Sequence, residues 1–256
     1  MRALILSSHP LADRGAHKVD VLAGLLEREI GVTVLYAGTR LRDYTGELRR
    51  RTPSDVRKIA LRRASSNDDV SRPGGRGLRN TARDLGVHVV SFPTLRDSRA
   101  LRFVSDFEPD VVLNLSALFI PSTFLDVARS PVVGAHYAEL PRLRGGDTIR
   151  WSILLDASLL VSHQVLTNEL DMGDVVGRQA IDVARGDDTE TLRRKCQRAS
   201  VAGHLAVVEG IRAGTLVRQP QDRSDGSTFF RMGKFLRARV DELLRVERYS
   251  HYSSSP

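Results

Sequence analysis

The sequence predicts an α/β chain whose mostly parallel sheet is flanked by helices, and three observations carry that prediction. Short apolar runs that suit buried strands alternate with helical stretches from Arg2 onward. The opening strand, helix and strand form a βαβ unit, whose crossover favours parallel pairing. Strand–helix alternation then resumes in the middle of the chain and ends in one long helix.

Arg2 to Leu6 reads as the first strand and stops at Ser7-Ser8-His9-Pro10, where proline ends regular structure. Val19, Val21, Leu22, Leu25 and Leu26 recur at helical spacing between His17 and Arg28, Gly31 breaks the pattern, and Val32 to Tyr36 is a second strand. From Gly46 to Arg83 the pattern loosens around Arg49, Arg50, Arg51, Arg57, Lys58, Arg62 and Arg63, which reads as a basic, partly mobile insert. Leu78 to Leu85 is helical, Val87 to Phe92 a strand and Ser98 to Phe107 a helix. Val111 to Leu115 is a strongly apolar strand, Pro121 to Ala128 a helix and Val132 to Ala135 another strand. Leu159 to Thr167 and Val175 to Val183 form two strands joined by Glu169 to Asp174. Asp187-Asp188 starts and Gly214 ends a helix over Thr189 to Ala213, and a last helix runs through Val246.

With 256 residues and 41% apolar content, one main domain plus a tail is expected. The longest apolar runs are too short to cross a bilayer and the N-terminus lacks a signal-peptide core, so a soluble cytoplasmic protein is expected. The single cysteine, Cys196, excludes an internal disulfide and a Cys-rich metal cluster, and no paired base marks it as a nucleophile. A net charge of +8, almost wholly from arginine, suits a nucleic acid, a phosphorylated ligand or a polyanionic cofactor, and equally a coding bias toward arginine. No glycine-rich phosphate loop follows the first strand, which argues against a dinucleotide enzyme or an ATPase. His17, His163, His204 and His251 lack ligand spacing, so no metal is assigned.

The chemistry concentrates after the strand at Val132. Ligands of open parallel sheets collect outside the carboxyl ends of strands, and His136 falls there, in Gly134-Ala135-His136-Tyr137-Ala138-Glu139-Leu140-Pro141-Arg142-Leu143-Arg144-Gly145. A histidine titrates near pH ~6.5 and can take or return a proton. A loop histidine bonded only to its neighbours fits the same residue. Downstream, Leu170-Asp171-Met172-Gly173 sets a carboxylate in a strand connection, and Gly173 permits a tight turn, often with positive φ, that aims Asp171 into a crevice. Asp-x-Gly alone is equally an ordinary turn.

Together, in this order and separation, the two segments resemble the folate-dependent formyltransferase family. Its pattern is Asn-x-His-x-x-Leu-Leu-Pro, an aromatic or apolar residue, a basic residue and glycine, followed about thirty residues on by Asp-x-Gly. His136, Leu140, Pro141, Leu143, Arg144, Gly145, Asp171 and Gly173 fall in register, and Thr148-Ile149-Arg150-Trp151 is similar to members with a tryptophan after the Arg-Gly turn. Pro109 to Leu113 through Ile120-Pro121 resembles the strand and pterin-side loop of the family. The similarity covers roughly residues 86–183, with a weaker likeness at 1–26.

The resemblance implies a Rossmann-like formyltransferase fold, with a catalytic domain over 1–218, the basic insert at 46–83 and a short helical C-terminal extension at 219–256. It implies transfer of a formyl group from 10-formyltetrahydrofolate to the amine of a small acceptor, such as a nucleotide-linked amino sugar, an amino-acid derivative or a biosynthetic intermediate. His136 would handle the amine's proton or support the developing oxyanion, and Asp171 would orient His136. Gly134 stands where the family has a hydrogen-bonding asparagine, so Asn114, Asn168 or Thr148 would have to donate instead, His136 would act alone, or transfer would be impaired. Leu118, Phe119, Ile120, Leu140, Arg144 and Leu170 would meet the folate, with Arg96, Arg142 and Arg144 available to its glutamate tail or to a phosphorylated acceptor. Ser8, His9, Arg14, Asn114 and Thr148 would meet the acceptor. A homodimer is compatible with the sequence. Two other classes compete: a folate-binding protein of this fold with lost or altered catalysis, motivated by Gly134, and, ranked last, a nucleic-acid-binding module on the Arg49 to Arg79 region, which lacks interleaved aromatic residues.

Overall fold

The computed structural model describes residues 1–8, 15–38, 77–116 and 120–253. The basic run from Arg49 to Arg63 and the site candidates His9, Arg14, Leu118 and Phe119 lie outside the described residues. The chain divides into two compact units, Met1–Ser130 and Pro131–Pro256.

The first unit is built on four parallel strands. In chain order its elements are β1 (Arg2–Ser8), α1 (Ala16–Leu26), β2 (Gly31–Ala37), α2 (Leu78–Asp84), β3 (His88–Phe92), α3 (Ser98–Phe107), β4 (Val111–Asn114) and α4 (Ser122–Ala128). The strand order is β3-β2-β1-β4. β1 sits between its neighbours, with Leu6 opposite Leu35 of β2 and Asn114 of β4. A strand flanked on both sides and covered by helices must be apolar along its length, and Ala3, Leu4, Ile5 and Leu6 are all fully buried. Val21, Leu22 and Leu25 make the buried stripe of α1, as their spacing predicts. α3 begins where the Asp97 side chain accepts from the Arg99 amide, 2.9 Å, satisfying one of the free donors of the first turn.

In the second unit the longer strands run antiparallel. Its elements are β5 (Val132–His136), β6 (Leu143–Gly145), α5 (Thr148–Leu154), β7 (Leu160–Val165), β8 (Val175–Ala180), α6 (Thr189–Ala213), a single 3-10 turn at Arg223–Asp225, β9 (Ser227–Phe229) and α7 (Lys234–Arg245). β5 pairs antiparallel with β7, and β7 with β8. The long helix α6 starts at Asp188, whose side chain accepts from the Thr191 amide, and stops at Gly214 in the left-handed conformation, φ 66°. The parallel α/β arrangement with covering helices expected from the sequence is therefore present in the first unit, and the strands expected around Glu169 to Asp174 form a hairpin.

Three elements of the second unit do not show in the sequence. β6 and β9 are three-residue strands paired parallel to one another, and α5 lies between β6 and β7. Residues 219–253, the described part of the expected extension, contribute four buried side chains to the core of this unit. Met232, Val240, Leu244 and Tyr249 pack with Ile149, Ile153, Leu159, Val161 and Cys196. Among the described residues no helix is long and apolar enough to cross a membrane.

Candidate active site

The last residue of β5, His136, is held at the point where the chain leaves the strand. Ser162 of β7 lies directly opposite it and shapes the departing loop, donating to the Ala138 carbonyl at 2.7 Å and accepting from the Leu140 amide at 3.2 Å. The loop returns as β6, and the Leu143 carbonyl meets His136 Nε2 at 2.7 Å. A carbonyl only accepts, so Nε2 carries the hydrogen. The other ring nitrogen, Nδ1, faces Asp171 Oδ2 at 3.5 Å.

Asp171 is fixed from several directions. Its Oδ2 accepts from the Gly145 amide at 2.8 Å and its Oδ1 from Gln164 Nε2 at 2.9 Å. Its carbonyl and that of Gly173 both accept from Gln221 Nε2, at 3.2 and 2.5 Å. The expected positive φ falls on Asp171 itself, at 53°, and not on Gly173. Aspartate tolerates this region better than most residues. Glycine is needed at 173 for a different reason, the close approach of strand β7. Gly145 combines both demands: its φ is 98°, and a Cβ there would fall 2.1 Å from the Phe229 carbonyl oxygen.

Position 134 lies two residues before His136 and on the same face of β5. Here the glycine leaves room that Leu166 fills, since a Cβ would sit 3.1 and 3.3 Å from its two methyl groups. Thr148, one expected donor, is buried and gives its hydroxyl hydrogen to the Tyr137 carbonyl, 3.1 Å. Leu140 is buried, with its carbonyl accepting from Arg178 at 3.0 Å. Leu170, beside Asp171, is 63% exposed, a large apolar side chain left open next to the polar pair. Asn168 is exposed.

One expectation is corrected. The Arg144 guanidinium, expected to meet an anionic tail, is buried and donates to the carbonyls of Pro141, Arg223 and Gly226 at 3.0, 3.2 and 2.8 Å. It ties β6 to the turn before β9, because three inward carbonyls there need a multidentate donor. Burial pushes the Cys196 thiol up to about 12, which leaves it without nucleophilic character at neutral pH.

In the first unit Ser8 ends β1, half-buried. Asn114 ends β4 with Oδ1 accepting from the amide and hydroxyl of Ser116, both 3.3 Å, and Ile120 is buried. The second unit thus brings His136 and Asp171 together, with Gly134 close by on β5. Gln164 and Gln221 were missed from the sequence. For Gln164 a signal existed: Ser162, His163 and Gln164 are three consecutive polar residues inside a strand that is buried, and buried polar residues are the informative ones.

The formyl transferase family model matches residues 13–208, more than half of the chain. The chain belongs to the formyl transferase family. The methionyl-tRNA formyltransferase of Desulfotalea psychrophila is 26% identical over 165 residues, which cover 61% of this chain and 51% of that one. The chain spans about half the length of the curated relatives it matches. Among solved structures, the N-formyltransferase of Helicobacter canadensis, in complex with folinic acid and dTDP-3-aminofucose, has a TM-score of 0.61 at 14% identity, covering 100% of this chain and 85% of that one. Glycinamide ribonucleotide transformylase 1 of Symbiobacterium toebii has a TM-score of 0.59 at 16% identity, covering 87% and 94%. At such identities the likeness is one of fold, and it is the Rossmann-like fold that the sequence motif implies.

Proposed function

We propose that this protein transfers a formyl group from 10-formyltetrahydrofolate to the primary amine of a small acceptor, of the class of nucleotide-linked amino sugars, amino-acid derivatives or biosynthetic intermediates. The observation that carries the reading is the His136–Asp171 pair at 3.5 Å, with the carboxylate anchored by the Gly145 amide. The acceptor nitrogen forms a bond to the formyl carbon, the bond from that carbon to the folate nitrogen N10 breaks, and one proton passes from the amine to N10. His136, with Asp171 behind Nδ1, is the group suited to carry that proton. The folate supplies an activated one-carbon unit. Leu170, adjacent to Asp171 in sequence, is an exposed apolar side chain, which supports contact with a flat ring system such as a pterin. Folinic acid in the Helicobacter canadensis structure supports the same class of donor.

Gly134 leaves the formyl oxygen without the side-chain donor of the family pattern. Removal of one oxyanion donor costs on the order of 10²–10³ in rate, so the reading includes a slower transferase. A folate-binding protein without turnover is the second reading, and Gly134 is the observation that favours it.

Titration of the purified chain with a stable 10-formyltetrahydrofolate analogue, alongside Asp171→Ala and Gly134→Asn, tests the donor. Saturable binding by the unmutated protein is expected, and a screen of amine acceptors with the true donor follows. A folded protein that fails to bind the analogue at about millimolar concentration ends the folate assignment. Binding without transfer to any amine leaves the second reading.

A further inference from the structure

Gln164 lies directly across from Gly134 in the β5–β7 ladder. Residues opposite one another in an antiparallel pair project from the same face, with Cβ atoms about 5 Å apart. The carboxamide of Gln164 therefore rises from the face that carries His136, beside the position where the family pattern has an amide side chain. It is 2% exposed, and its Nε2 donates to Asp171 Oδ1 at 2.9 Å. With the Gly145 amide on Oδ2, the carboxylate is gripped at both oxygens, and rotation that would carry Oδ2 away from His136 Nδ1 is opposed.

The other end of the carboxamide makes the assignment sharper. Gln164 Oε1 is buried and has no hydrogen-bond partner among the described residues. An orphaned buried acceptor is left without the hydrogen bonds that water would give it, at a cost in stability. Turning the amide over would not remove that cost, because Oε1 would then face a carboxylate oxygen. The charge on Asp171 thus dictates the orientation of Gln164.

From this geometry we infer that Gln164 is a positioning residue of the His136–Asp171 pair: its carboxamide holds the Asp171 carboxylate toward His136. The inference rests on the formyl-transfer reading for its purpose, and on the hydrogen bonds for its substance. The groups that face the pair are Gln164 from β7 and, from β6, the Gly145 amide and the Leu143 carbonyl, while Gln221 from the segment before β9 holds the Asp171 backbone carbonyl. Among the described residues no second charged side chain makes an ion pair with either member.

The test follows the ring ¹⁵N signals of His136 against pH in the full chain, assigned with His136→Gln, for the unmutated protein, Gln164→Met and Gln164→Glu. Gln164→Met frees the carboxylate, and the His136 transition is expected to move to lower pH. Gln164→Glu sets a second carboxylate by the first, and the transition is expected to move to higher pH. Unchanged transitions in both folded variants overturn the inference. Should Gln164→Met fail to fold, the near-isosteric Gln164→Glu decides alone. Folinic acid titration of the same samples separates the two readings: shifted His136 transitions without folinic acid binding uphold Gln164 as a positioning residue while the donor assignment fails.

Discussion

The carbonyl oxygen of Val165 occupies the space a side chain on residue 173 would need: a Cβ built on Gly173 falls 1.6 Å from it. Two chain segments touch here backbone to backbone, one the end of β7 and the other the turn that presents Asp171. Gly173→Ala is therefore expected to force that turn away from β7. A loss of about 3 kcal/mol or more is expected in a denaturant melt, since overpacking against main chain cannot be relieved by a rotamer change. Any variant protein that remains folded is expected to lose the contact between Asp171 and His136.

Asp171→Asn keeps the volume and tolerates the left-handed backbone of this position, φ 53°. It removes the charge facing His136 Nδ1. Formyl transfer, once an acceptor is known, is expected to fall on the order of 10²–10⁴, the usual span of acid–base assistance. The melting temperature is expected to stay close to that of the unmutated protein. Equal loss in Asn and Ala variants with an unaltered melt for Asn would mark the charge as the part that matters; full activity in Asp171→Asn would remove the residue from the mechanism.

Arg144→Met leaves three buried carbonyls short of a donor. Destabilisation of about 2–4 kcal/mol is expected, seen as a lower denaturant midpoint. Binding of a folate analogue by the folded fraction is expected to change little. A large, selective loss of affinity for polyglutamylated over monoglutamyl analogues, with stability intact, would instead return Arg144 to an anion-binding role.

Burial lowers His163 from 6.5 to about 4, so the folded chain holds this ring neutral where the unfolded chain protonates it. The sign follows: above pH ~6.5 the contribution of His163 to stability is present in full, and it is lost as pH falls from there toward about 4. About 3 kcal/mol is at stake across that window. Urea melts at a series of pH values are expected to show this decline, and His163→Gln is expected to flatten it. An equally steep decline in the variant would assign the acid sensitivity to other groups.

Much of this architecture was legible from local signals. α3 and α6 matched the expected limits because their ends are written in single residues, Asp97 and Asp188 as N-caps and Gly214 as the left-handed stop. His136 and Asp171 were singled out because their two segments, in order and separation, resemble a family pattern; neither residue stands out alone. β6 and β9 were not found, because a three-residue strand has no period to detect and each exists only by pairing with the other. The role of Arg144 was misread for a related reason: the carbonyls of Arg223 and Gly226 that claim it lie some eighty residues away, and an arginine on paper looks available to any anion. Gln164 carried a signal, as one of three consecutive polar residues in a buried strand, but that signal does not name a partner, which depends on what stands across the ladder.

The contacts from Gln221 to Asp171 and from β9 to β6 give the order of synthesis a chemical meaning. A nascent chain that has emerged only as far as α6 already contains His136 and Asp171 with Gly145 and Gln164, yet lacks Gln221 and β9, which brace the turn and β6. The late-made stretch thus completes the surroundings of the proposed pair, and a ribosome-bound or prematurely terminated product is expected to carry His136 and Asp171 with that turn less firmly held.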